Sequence, residues 1–214
     1  MANFLMYVGV ALASSGKRPT VFTALDARGH SLAIGSGTLA DALAYAAGAS
    51  SALLALTPPV RARWSRPAHA DPAVEPPPLL PESAEEEVPP LVATLQRLGY
   101  SPCDSESDSP RQWLETDAES ALEKWLGHPL LPGNTLEGRI QRQLALADLD
   151  CDVPDAMEFF EEITRFKLLR GQLPYEKILS LAELNAYAAA TIARLYAQFP
   201  ERVQRLHASF FLPV

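Results

Sequence analysis

Residues 7–29 read YVGVALASSGKRPTVFTALDARG, and the fold turns on this stretch. Two apolar segments, 4–12 and 20–26, flank a polar join, and both are rich in the β-branched and aromatic residues that suit a pleated, buried surface. Asp26-Ala27-Arg28-Gly29 is a hairpin-type turn, and HSLAIGSG at 30–37 continues as a third strand. The chain is therefore expected to open as an antiparallel meander. At the centre of the first strand stands Ala11; there is no Asp anywhere in residues 1–25, and Asp26 belongs to the turn.

Downstream the pattern changes period. In TLADALAYAAGA, Leu39, Ala42, Leu43 and Ala46 fall at helical spacing, and Gly48 supplies a stop. SALLALTPPV (51–60) is an unbroken apolar run ended by Pro58-Pro59, as expected of a strand buried on both faces. A strand after a helix predicts a parallel crossover beside the first strand. Residues 65–90 hold eight of the 19 prolines and the run Glu85-Glu86-Glu87. That composition predicts a solvated, extended surface loop rather than a domain or a proline-rich ligand. A short helix at 91–98 stops at Gly99, and QWLETD (112–117) is a candidate last strand. AESALEKWLG follows as a helix with Ala118, Leu122 and Trp125 on one side.

The C-terminal third reads as helical. Asn134 and Glu137 are spaced as a capping box before a helix running to about residue 149, with Ile140, Leu144 and Ala147 inward. Pro154 suits a first helical turn; DAMEFFEEITRFKLLRG then carries Phe159, Ile163, Phe166 and Leu169 on one stripe and stops at Gly171. Ser180 and Glu183 form a further capping box, with Leu184, Ala188, Ile192 and Leu195 as the buried stripe and Pro200 as the end. One domain over 1–214 is expected, with no internal repeat: an α/β fold built on a mixed five-stranded sheet with helices on both faces.

The totals narrow the function classes. With 214 residues, 48% hydrophobic, the chain can bury one sizeable core. A net charge of −8 repels phosphate backbones, and only modest basic clusters occur (Lys17-Arg18, Arg61/Arg63/Arg66, Arg139/Arg142), so nucleic acid is not favoured as a partner. Cys103 and Cys151 show no metal-ligand spacing; two reduced thiols are the expectation, and a disulfide between them stays open. The apolar start FLMYVGVALASS lacks a positive flank and is expected to be a buried strand rather than a leader; no stretch is long enough to span a bilayer. A cytoplasmic protein is the expectation. His30, His69, His128 and His207 are scattered, without HxH or HExxH spacing. GSGTLADA (35–42) lacks the lysine of a phosphate-binding loop, so a tight turn is expected there.

The order of elements is that of the ribonuclease-H-like fold. TLEGRIQRQLAL, DVPDAMEFFEEITRFKLLRGQLP and LAELNAYAAA follow the order and wording of a known family. On these stretches the chain resembles an uncharacterised domain family of predicted nucleases with a ribonuclease-H-like fold, over most of its length. The resemblance implies carboxylates at the centre of the first strand, the end of the fourth strand and a late helix. Together they would gather Mg²⁺ or Mn²⁺ to activate water. Carried over position by position, the first-strand Asp is Ala11, the fourth-strand Asp is Leu56, and the acid of the family's Glu-Leu-Asp-Ala helix is Asn185. One acid survives, Glu115, at the fifth-strand position.

A site short of three negative charges is not expected to grip a dication. The leading expectation is a catalytically degenerate, non-enzymatic binding or scaffold protein with no cofactor, self-associating through apolar helical faces. The alternative is a metal-dependent nuclease or phosphodiesterase with a relocated carboxylate site around Glu115, drawing on Asp41, Glu161, Glu162 or Glu183. Glu137, Arg139 and Arg142 in EGRIQRQ are read first as an ion-pair network tying their helix to DVPDAMEFFEE, and second as an anion contact.

Overall fold

The computed structural model describes residues 4–13, 19–58, 90–103, 108–172, 175–206 and 209–214. The loop expected at 65–90 lies outside them, apart from Pro90, as do Lys17-Arg18, Arg61, Arg63, Arg66, His69 and His207. The meander forms as β1 (Met6–Ala11), β2 (Thr20–Leu25) and β3 (Ser31–Gly37). Its β2–β3 turn is closed by Asp26, whose carboxylate accepts the Arg28 and His30 amides, and by Gly29 at φ +89°. Helix α1 (Leu39–Ala47) starts at a capping box between Thr38 and Asp41 and returns the chain to β4 (Ala52–Thr57), parallel to β1.

Then come α2 (Pro90–Arg97), a two-residue β5 (Ser101–Pro102) and β6 (Arg111–Glu115). The sheet order is β3-β2-β1-β4-β6-β5, with β4, β6 and β5 parallel to one another. The sheet thus has six strands where the sequence reading has five; the extra one, β5, is too short to show any periodicity.

The C-terminal part supplies α3 (Ala118–Leu126), α4 (Leu136–Ala147), α5 (Glu162–Leu169) and α6 (Leu181–Gln198), then a small antiparallel pair, β7 (Val203–Arg205) and β8 (Phe211–Pro213). Two caps differ from expectation. The N-cap of α4 is Thr135, whose hydroxyl accepts the Gly138 amide, not Asn134. Residues 154–171 are not one helix. Asp155 caps a 3-10 turn at Ala156–Phe160, Glu161 is extended (ψ 158°), and only then does α5 begin. That break turns the expected stripe apart: Phe159 is buried, whereas Phe166 and Leu169 are exposed. In α4, Ala145 and Leu146 are buried in place of Ala147, which faces solvent.

Two apolar layers cover the sheet. Tyr7, Leu53, Ala55 and Leu114 face α3, α4 and α6; Met6, Val8, Val10, Leu54, Leu56 and Trp113 face α1 and α2. Helix α6 lies on the first face and is buried all round from Leu184 to Leu195, more than its one-sided stripe requires. Both cysteines are buried thiols outside any disulfide; Cys103 Sγ donates to Gln112 Oε1 (3.5 Å), Cys151 Sγ lies 2.9 Å from Thr191 Oγ1, and burial pushes the Cys151 thiol up.

In the second layer the Tyr100 hydroxyl is buried without a hydrogen-bond partner among the described residues, and burial pushes its phenol up from 10.0 to about 12. Below pH 10 the phenol is neutral in both the folded and unfolded chains. Between those two values only the unfolded chain gives up the proton, so stability falls as pH rises. The expected loss is about 2–3 kcal/mol at full extent. Urea midpoints measured from about pH 9 upward should decline more steeply for the native chain than for Tyr100→Phe.

Candidate functional site

The carboxyl ends of parallel strands are where α/β sheets place their ligands. Here β1, β4 and β6 end at Ala11, Thr57 and Glu115. The register fixes which of these look the same way. Ala11 is in register with Thr57, and Leu56 is in register with both Val10 and Glu115. Side chains alternate between the two faces, so Ala11 and Thr57 share the α6 face, while Leu56 and Glu115 look toward the α1–α2 layer with Leu54 and Trp113.

The four positions carried over from the resemblance therefore divide. Ala11 packs with Val21 against Ala186, with Ala182 alongside, and Asn185 is the neighbour of Ala186 on α6. Leu56 belongs to the opposite apolar layer. The β4 residue that looks the same way as Ala11 is Thr57, not Leu56, and its hydroxyl is engaged in accepting the Ala118 amide at the start of α3 (3.0 Å).

Glu115 is 1% exposed. Past the end of β5, the returning C-terminal segment takes its place along β6: the Glu115 amide donates to the Ser209 carbonyl (2.7 Å), and Glu115 pairs in parallel with Phe210. The Ser209 hydroxyl donates to Glu115 Oε1 at 3.3 Å. Lys124 holds the same segment by donating to the Pro213 carbonyl. Asn185 is 2% exposed, and its Oδ1 has no hydrogen-bond partner among the described residues.

The acids considered for a relocated site are engaged locally or stand apart. Asp41 and Glu183 each close a capping box; the Thr38 hydroxyl and amide hold the Asp41 carboxyl below its ordinary range, and Glu183 Oε2 accepts the Ser180 amide (2.7 Å). Glu161 is exposed at the N-cap of α5, and the Glu162 side chain lies outside the described set. His30 bonds Asp26 in its turn, and His128 the carbonyl of Pro129. Among the described residues, no group of three or more His, Cys, Asp or Glu is placed to hold a metal ion. Mg²⁺ asks for several hard oxygens in near-octahedral array. An alanine, a leucine, an amide and one carboxylate, split between two faces, do not meet that demand.

EGRIQRQ has a structural reading. Gly138 lets the Pro132 carbonyl approach α4 so closely that any side chain would overlap it. Gln141 accepts the Leu131 amide (2.8 Å). Arg142, 2% exposed, donates Nε and Nη2 to the two carboxylate oxygens of Glu119 on α3 (2.9 and 2.5 Å). Its Nη1 donates to the carbonyls of Leu131 and Gly138. Gln143 donates to the carbonyls of Pro154 and Lys177 and accepts the Leu179 amide.

The network expected for this motif thus exists with a different partner. Arg142 ties α4 to α3 and the 131–132 turn, and the tie to the 151–161 segment is made by the neutral Gln143. With four of its five N–H donors spent inside the protein and the side chain 2% exposed, Arg142 is not placed to take an anion from solvent. Glu137 is exposed; Arg139 is half-buried, its buried Nε without a partner among the described residues. Glu119 was invisible to sequence reasoning because its partner lies 23 positions away. The one signal available was the unbroken polar run Gln141-Arg142-Gln143 on an otherwise amphipathic helix.

No described helix is long and apolar enough to cross a membrane. Compared with known proteins, the chain matches no family model, no curated protein and no solved structure.

Proposed function

We propose that this chain is a ribonuclease-H-like protein in which the carboxylate site of a nuclease has been dismantled, and that it serves as a cytoplasmic binding or scaffold protein rather than an enzyme. The strand order, with an antiparallel meander followed by parallel crossovers, and the C-terminal motifs support the fold part of the reading. One observation carries the functional part: the surviving acid, Glu115, is packed beside Leu56 and sealed by the segment at Ser209–Phe210. A catalytic carboxylate must reach metal and solvent, whereas a sealed one serves packing. The net charge of −8 further disfavours a phosphodiester substrate.

Calorimetric titration with Mn²⁺ and Mg²⁺ tests the reading. No micromolar binding is expected, and millimolar Mn²⁺ should leave the melting temperature unchanged. A dication bound a hundredfold above its Kd would instead raise stability by about 2.7 kcal/mol. Micromolar binding that disappears in Glu115→Gln would overturn this reading in favour of a metal-dependent phosphodiesterase centred on that residue.

A further inference from the structure

Within residues 157–175, six large apolar side chains lie open to solvent: Met157, Phe160, Phe166, Leu168, Leu169 and Tyr175. Leu169 is 82% exposed, the most of any large apolar residue described. The extended Glu161 causes this. It swings α5 away from the helical layer, so that α5 packs chiefly on the 3-10 turn before it. Buried Phe159 joins Phe160 (ring centroids 5.6 Å) to Tyr175 (6.4 Å), and on α5 Arg170 lies over the Phe166 ring at 4.3 Å.

Half-exposed side chains of this size leave roughly 100 Å² each, about 600 Å² over the whole segment, with Phe166 and Leu169, three residues apart, on one side of α5. Doubled across a two-fold axis the whole segment supplies at most about 1,200 Å², the lower bound of a specific interface. Charge selects the occupant. Exposed Glu161 stands at the start of α5, while Arg165, Lys167 and Arg170 stand along its later half. A two-fold axis across the helix sets two copies antiparallel, so each acidic start meets a basic end, in the sense the helix dipole also favours. The chain is otherwise strongly negative, so this basic end is a place where a second copy is attracted rather than repelled.

We infer that this face is the interface of a homodimer, with α5 packed antiparallel on α5 of a second copy. Sedimentation equilibrium of the full chain should show a dimer in the micromolar range. Leu169→Asp removes one apolar contact from each side and cannot disturb the core; it should raise the dissociation constant at least tenfold with an unchanged circular dichroism spectrum. Glu161→Lys and Arg170→Glu should each weaken the dimer, and an equimolar mixture of the two should recover it in part, because one charge pair is restored.

A chain that stays monomeric throughout overturns the inference. So does a dimer indifferent to Leu169→Asp but split by Ile34→Lys, which would place the contact at the open edge of β3. Monomers that instead bind phosphatidylserine vesicles through Leu169 would assign the face to a lipid surface and equally overturn it.

Discussion

Replacing Gly9 is expected to destabilise the protein more than any other single change in the sheet. A Cβ at this position, in the middle of the central strand β1, would overlap the carbonyl oxygen of Ala186 and crowd the amide nitrogen of Ala190. Both are backbone atoms of α6, so no side chain can swing aside; the helix itself must lift off β1. Its other contacts, to β2 and β4, resist that movement. Overpacking a core ordinarily costs about 1–3 kcal/mol, and a backbone clash lies at or beyond the top of that range. Gly9→Ala should therefore lower the melting temperature by roughly 6–12 °C. Gly9→Val should fail to give folded protein, since such a loss approaches the whole stability of a domain. Gly127→Asn is the control: φ there is +71°, asparagine tolerates it, and no atom of the described residues lies within 4 Å of an added Cβ. A melting temperature for Gly9→Ala within a degree or two of native would mean that α6 does not ride on β1.

Breaking the Glu119–Arg142 pair should have the second large effect. Both residues are buried, and the guanidinium donates to both carboxylate oxygens. Removing one partner strands a charge away from water, which costs about 3–5 kcal/mol. Glu119→Ala and Arg142→Ala are each expected to lose that much by urea unfolding. The double replacement Glu119→Leu/Arg142→Met leaves no charge behind, and its remaining cost comes mainly from the orphaned Leu131 carbonyl, about 1–3 kcal/mol. The double variant should therefore be more stable than either alanine variant. The comparison also bears on function. An arginine kept for an external anion would sit in an exposed fork, and its loss would change stability by under about 0.5 kcal/mol.

The elements were legible because the signals for them are local. Asp26 and Gly29 close their turn, Ser180 with Glu183 starts a helix, and Gly48 and Gly99 end theirs, each within a few residues of chain. The small-residue run in NAYAAATIA is the sequence trace of the close approach to Gly9. The same locality explains the failures. Apolar spacing across 159–169 is compatible with one continuous helix, and nothing in it announces the extended Glu161 that turns Phe166 and Leu169 outward. A two-residue strand such as Ser101–Pro102 exists only because β6 is there to bond it.

By itself the sequence determined the kind of each long element, the α/β class, and the lack of carboxylates at Ala11, Leu56 and Asn185, since these follow from side-chain period, backbone preference and residue chemistry at a single position. Only the tertiary structure decided that Ala11 looks the same way as Thr57 rather than Leu56, that Glu115 is sealed by Ser209 and Phe210, and that Arg142 spends its fork on Glu119. Each of those facts joins residues far apart in the chain. A shift of one residue in strand register turns a side chain to the other face of the sheet while leaving the local pattern of the sequence unchanged.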